Sequence, residues 1–263
     1  MIVTIGLPLD ENSSYLRGAS QAPDRIRKAF HSDSANYWTE YGINLERHPK
    51  TIDDGDLKLP AMPSAFDAIT SAVNNRVRQG HKVISLGGDH SITYPIIRGF
   101  APYHRDLTIL HLDAHGDLYD SFEGNRFSHA CPFARIMESQ LATRLIQVGI
   151  RTYSGHQRDQ AERFGVEVVE MKDWHDDVRF VIDGPVYLSL DLDVMDPAFV
   201  PGVSHHEPGG FSTRQVLSII QQLEGNLVGA DIVELNPSRD LHDMTAMVAA
   251  KCYKELLARL LMQ

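Results

Sequence analysis

The chain contains only two cysteines, Cys131 and Cys252. They are too few and too far apart for a disulfide framework or a Cys-x-x-Cys zinc site, and they point to a reducing, cytoplasmic setting. Long hydrophobic runs are also missing, since no stretch approaches the roughly 20 apolar residues that cross a bilayer. Residues Met1 to Asp10 have no basic region, and their apolar run is too short for a signal peptide. Positive charge is scarce: 25 Lys and Arg stand against 35 Asp and Glu, for a net charge of −10. That balance argues against a nucleic-acid partner, which needs clustered cations to neutralise phosphates. No repeat, low-complexity tract or linker interrupts the 263 residues, so residues 1–263 read as a single domain. At that length roughly three quarters of the unfolded surface can be buried, and the core needs no covalent staple.

What recurs is a short β-branched or apolar run followed by a segment of helical period. Candidate strands are Ile2–Gly6, Lys82–Leu86, Leu107–Leu112, Leu145–Gly149, Val166–Val169, Val186–Leu190 and Leu227–Val233. Ser64 with Asp67 predicts a helix start before Phe66, Ile69, Val73 and Val77, and Gly80 a stop. Ser212 with Gln215 repeats the pattern, and Thr245 to Leu261 forms a last amphipathic helix. Alternating strands and helices predict a three-layer α/β/α sandwich around a mostly parallel sheet.

Sheets of this kind bind ligands beyond the carboxyl ends of their strands. Ionisable residues gather there: His90 after the strand ending at Leu86, and Asp113, His115 and Asp117 after the strand ending at Leu112. Asp191 and Asp193 follow Leu190, and Glu234 follows Val233. In extended backbone, positions i and i+2 face the same side, so Asp113 converges with His115 and Asp191 with Asp193. Carboxylates that close repel unless a cation lies between them. His90, Asp113, His115, Asp117, Asp191 and Asp193 are six candidate ligands, more than one tetrahedral zinc needs, and they suit two cations that share carboxylates. A donor set rich in carboxylate favours manganese, with cobalt, nickel or iron as alternatives.

At these residues the sequence resembles the ureohydrolases, the family of arginases and agmatinases. The motifs are Gly87-Gly88-Asp89-His90-Ser91, Asp113-Ala114-His115-Gly116-Asp117 and Ser189-Leu190-Asp191-Leu192-Asp193-Val194-Met195-Asp196-Pro197. Asn12-Ser13-Ser14, Phe122-Glu123-Gly124-Asn125, Pro201-Gly202-Val203-Ser204-His205 and Met244-Thr245-Ala246-Met247 are similar to the plant-type arginase branch. The resemblance implies two Mn²⁺ ions, one held by His90, Asp113, Asp117 and Asp191, the other by Asp113, His115, Asp191 and Asp193. It implies hydrolysis of a small guanidino substrate to urea and an amine by activated water. In that scheme Asp117 moves a proton to the leaving amine, Glu234 receives the guanidinium and His129 shuttles protons or orients the substrate. Asn125 and Ser128 are candidate donors to a substrate carboxylate. A homo-oligomer, trimer or hexamer, is implied as well.

The sequence departs from the plant branch at two positions. Gly116 stands where that branch usually carries proline, and His206 replaces an apolar residue. Arginine is the expected substrate. Agmatine or a guanidino acid is the nearest alternative, because the metal motifs do not distinguish substrate tails. A single-zinc deacetylase-type hydrolase would leave His90, Asp117 and Asp193 without metal duties. A non-catalytic subunit would not need all six ligands.

Overall fold

A computed structural model describes residues 1–263. Eight strands form one sheet: β1 (Ile2–Gly6), β2 (Thr51–Asp56), β3 (Lys82–Leu86), β4 (Thr108–Leu112), β5 (Arg144–Ile150), β6 (Glu167–Glu170), β7 (Pro185–Asp191) and β8 (Asn226–Val233). Seven α-helices connect or cover them: α1 (Ala22–Phe30), α2 (Ser64–Arg78), α3 (Thr93–Phe100), α4 (Pro132–Glu138), α5 (Gly155–Phe164), α6 (Thr213–Gln222) and α7 (Met244–Leu261). The strand order is β2-β1-β3-β8-β7-β4-β5-β6, and every pairing is parallel. The sheet is therefore wholly parallel, as expected when every strand returns through a crossover. No helix is long and apolar enough to cross a membrane.

The chain lays down β1 to β3 on one side and β4 to β6 on the other, and β7 and β8 then fill the gap. The carboxyl ends of β3, β8, β7 and β4 thus become neighbours. These are the four strands whose ends carry the ionisable residues. One buried cluster packs α1, α6 and α7 against one face, with Ile26, Phe30, Val216, Ile220, Leu256 and Leu257 among its members. A second packs α2, α3 and α4 against the other face through Phe66, Ile69, Val73, Ile96, Phe100 and Phe133. Strands buried on both faces explain their almost continuous apolar runs.

A row of polar residues crosses the interior of the sheet. Gln147, His111, Ser189, Asp231 and Ser85 are register partners across β5, β4, β7, β8 and β3, and all five are fully buried. This row crosses the sheet one layer below the strand ends.

Two local expectations differ from the structure. Ser64 begins α2 but does not cap it; Pro63 holds the cap position and no side chain closes the turn. β2 was not expected, because Thr-Ile-Asp-Asp-Gly-Asp lacks an apolar alternation. It forms as an edge strand whose acids are held by Arg27 and Arg76, a charged edge that also discourages pairing with other chains. The Ser212–Gln215 capping box forms in full.

Candidate metal centre and its cleft

Beyond β3 the chain passes through Gly87 and Gly88. A Cβ on Gly88 would lie 1.8 Å from the Leu9 carbonyl oxygen, so the glycine permits a close approach of two backbones. Asp89 then caps a short 3-10 turn, accepting the Ser91 N–H at 3.0 Å, and His90 enters the interior completely buried. Beyond β4, Asp113 Oδ1 accepts the His115 N–H at 2.6 Å. Beyond β7, Asp191 Oδ1 accepts the Asp193 N–H at 2.8 Å. Asp117 and Glu234 both adopt left-handed backbone, with φ of 47° and 65°. Such conformations are uncommon for side-chain-bearing residues and gather at functional sites.

His90 Nδ1 lies 3.2 Å from Asp113 Oδ2, 3.1 Å from Asp117 Oδ2 and 3.2 Å from Asp191 Oδ2. His115 Nδ1 lies 3.3 Å from Asp113 Oδ1 and 3.1 Å from Asp193 Oδ2. The two groups overlap at Asp113, one oxygen facing each. Asp191 joins the His90 group, while its other oxygen is occupied by the Asp193 N–H. All six expected ligands are thus brought together.

The donor set fits divalent cations. Ligand atoms each about 2.1 Å from one cation lie about 3 Å apart, the spacing seen around both imidazoles. His90 Nδ1 is buried and has no hydrogen-bond partner, although three carboxylate oxygens surround it. A lone pair among three anionic oxygens is unfavourable unless positive charge joins them. Burial, reinforced by Asp193 and Asp113, pushes the Asp191 carboxyl well above the ordinary range, and burial lifts Asp193 to about 6. Although burial opposes it, the surrounding carboxylates raise His90 and His115 well above the ordinary imidazole range, so the pocket favours positive charge among its oxygens.

Outside this centre, Glu234 Oε1 accepts the His90 N–H at 2.9 Å and meets His129 Nδ1 at 2.8 Å. Burial lowers the basicity of His129, but the Glu234 carboxylate outweighs it and raises the pKa to about 9. Ser14 contacts the other ring nitrogen, its hydroxyl at 2.8 Å. Asp117, Asp191, Asp193, His115, His129 and Glu234 line a cleft, joined by Ser14, Tyr119, Phe122, Thr152, Gln157 and His205.

Asn125 and Ser128 are engaged by the 122–130 loop and by Asn12. The Asn125 amide donates to Asn12 Oδ1 at 3.1 Å and its oxygen accepts the Phe127 N–H at 2.8 Å. Ser128 is buried, its hydroxyl accepting the Ala130 N–H at 3.3 Å. His206 is exposed and bonds the Pro201 carbonyl, whereas the adjacent His205 faces the cleft.

Several supporting residues escaped the sequence reading. His90 Nε2 lies 3.0 Å from Ser189 Oγ, which donates to Asp231 Oδ1 at 2.7 Å. This anchor leaves Nδ1 free for a cation, the usual outer support of a ligating histidine. His111 Nε2 lies 2.8 Å from Asp113 Oδ2 and its ring stacks on Phe133 with centroids 3.9 Å apart. Arg151 donates to the carbonyls of Asp193 and Glu207, each at 2.6 Å, and so ties two site loops together. The period-two signal reached one step upstream of each motif: His111, Asp113 and His115 alternate, as do Ser189, Asp191 and Asp193.

The sequence profile of the Arginase family matches residues 1–258. A protein of Arabidopsis thaliana named Arginase 1, mitochondrial is 45% identical over 274 residues, covering 97% of this chain and 80% of its own. An Agmatinase of Bacillus anthracis is 32% identical, covering 97% of this chain and 90% of its own. The solved structure of an arginase from Medicago truncatula superposes with a TM-score of 0.93 at 41% identity, covering 98% of this chain and 87% of that one.

Proposed function

The chain belongs to the arginase family, and from that premise we propose that it is an arginase, a hydrolase that converts L-arginine to L-ornithine and urea. The observation that carries this reading is the overlap of two ligand groups at Asp113, with Glu234 and His129 on the wall of the same cleft. His90, Asp113, Asp117 and Asp191 would hold one cation, and Asp113, His115, Asp191 and Asp193 the other. The carboxylate-rich set favours two Mn²⁺ per chain, with cobalt, nickel or iron as substitutes. Bound cations would supply a water of lowered pKa and positive charge facing the reacting carbon.

The protein's own groups do the rest. Glu234, fixed by the His90 N–H and His129, receives the guanidinium N–H groups in charge-assisted hydrogen bonds. Asp117 takes a proton and returns it to the departing nitrogen, which leaves only as a neutral amine. His129 carries protons between this site and the cleft. Asn125 and Ser128 shape the 122–130 loop, and Ser14, Thr152 and Gln157 offer donors to the substrate tail. One domain spanning residues 1–263, a cytoplasmic location and a homo-oligomer, trimer or hexamer, belong to the same reading. The two free, buried cysteines support a reducing compartment, and the assembly rests on the family resemblance.

Agmatinase is the second reading, favoured by one observation: no Lys or Arg lines the cleft, so a substrate carboxylate would meet no ammonium or guanidinium group there. A single-zinc site would leave the convergence of His90, Asp117 and Asp193 without purpose. The test is urea release by Mn-loaded protein from arginine, agmatine, 4-guanidinobutyrate and guanidine. Arginine is expected to give the highest kcat/KM. A higher value for agmatine would replace the first reading with the second, and no urea from any of them would sink both.

A further inference from the structure

A Cβ on Gly116 would lie 2.1 Å from Tyr153 Cε2 and 2.9 Å from Cδ2. The space a side chain would occupy is therefore filled chiefly by the Tyr153 ring, with Gln157 Oε1 at 2.6 Å beside it. From that seat the Tyr153 hydroxyl donates to Gln147 Oε1 at 3.0 Å. The Gln147 amide nitrogen reaches the Gly116 carbonyl at 2.5 Å and His111 Nδ1 at 3.0 Å. His111 Nε2 completes the chain at Asp113 Oδ2, 2.8 Å away. Gln147, His111 and Asp113 are all fully buried, so no water competes for these groups.

We propose that Tyr153, seated in the space that Gly116 leaves open, is a positioning residue that fixes the shared carboxylate of Asp113 through Gln147 and His111. The argument turns on hydrogen-bond direction. The Tyr153 hydroxyl is a donor towards Oε1 and the Gly116 carbonyl is an acceptor, so together they set the orientation of the amide. Both Gln147 N–H groups then point at acceptors, one of them His111 Nδ1. That leaves the His111 proton on Nε2, where it is donated to Asp113. A reversed amide would put the proton on Nδ1 and set a bare nitrogen lone pair against the carboxylate. Tyr153 thus selects a tautomer two hydrogen bonds away, and the tautomer restrains the oxygen of Asp113 that faces His90. The glycine and the tyrosine act as one unit, because a side chain at 116 displaces the ring that carries the hydroxyl.

The proposal rests on Asp113 being the ligand shared between two cations. Y153F keeps the ring and removes only the hydroxyl. It is expected to weaken Mn²⁺ binding about tenfold in a calorimetric titration and to lower kcat by a similar factor, with KM for the guanidino substrate unchanged. In metal-free protein carrying isotope-labelled histidine, the His111 ring should show the Nε2–H tautomer in the wild type and a mixture in Y153F. G116A should reproduce the loss, and the loss in G116A/Y153A should be clearly smaller than the sum of the two single losses, as expected of coupled positions. Unchanged affinity and tautomer in Y153F, or additive losses in the double variant, would overturn the proposal. Wild-type protein that binds no Mn²⁺ would instead defeat the metal reading; the tautomer measurement needs no metal and still tests Tyr153.

Discussion

His90 and His115 present the same ring atom to the same carboxylate, yet their surroundings are opposite. The His90 side chain has no exposure; its far nitrogen is anchored on Ser189 and its ring meets His111 and Phe133 edge-on. The His115 side chain is 24% exposed and lines the cleft, and its far nitrogen comes only within 4.0 Å of Glu207. The inner half of the centre is held in place by the sheet's polar row, while the outer half is formed by loop residues beside the substrate space. Preorganisation is therefore concentrated where no substrate reaches, and adaptability where it does. This asymmetry predicts an inner cation that is held firmly and an outer one that exchanges more readily.

The largest effect should come from the one residue common to both halves. D113N is expected to impair both cations and lower kcat more than about a thousandfold, because several kcal/mol of transition-state stabilisation disappear together. Urea release combined with metal counting checks this, and a variant that loses only one cation would break the symmetry assigned to Asp113. A smaller and one-sided effect is expected from D231N. Asp231 accepts from Ser189, Thr93 and Tyr187, and an amide cannot accept from all three. One of two calorimetric binding steps should weaken about 10- to 100-fold, the other staying in place. Equal weakening of both steps would show that the two halves share their support.

The smallest effect concerns protons. Burial raises Asp191 and Asp193 above their unfolded pKa of about 4, Asp193 to about 6. In metal-free protein these two groups therefore bind more protons in the folded state than in the unfolded chain across this interval, and the stability they contribute falls as pH rises through it. Thermal unfolding should show a declining Tm from about pH 4 to about pH 6 without metal, and recovery when Mn²⁺ is added. A metal-free Tm that rises over the same interval would mean that the carboxylates are already neutralised within the protein.

The residues legible in the sequence were those whose geometry is local. Asp113 with His115 and Asp191 with Asp193 could be placed on one side from spacing alone, and the strand ends located them. Helix α6 was legible for the same reason, since its capping box lies within four residues. What stayed hidden depends on strand order. Gln147, His111, Ser189 and Asp231 are neighbours only because β5, β4, β7 and β8 lie side by side in register. Inside apolar runs they look like isolated polar residues. β2 was hidden because its register with β1 and its arginine partners form it, not its own pattern. The expected donors Asn125 and Ser128 had suitable chemistry, but Asn125 directs it to Asn12 and the Phe127 N–H, and Ser128 to the Ala130 N–H.

The late insertion of β7 and β8 between β3 and β4 has a consequence for how the centre comes into being. A ribosome that has delivered β1 to β6 has made His90, Asp113, His115 and Asp117, but left them on two separated half-sheets. The remaining carboxylates arrive with the strands that close the gap. Cation capture therefore has to wait for the longest-range pairings in the chain, which are also the slowest to form. Once it occurs, its binding energy favours only the completed sheet. The metal ions would act as a latch on assembly, so cells short of the metal would accumulate an incompletely closed chain as well as an inactive enzyme.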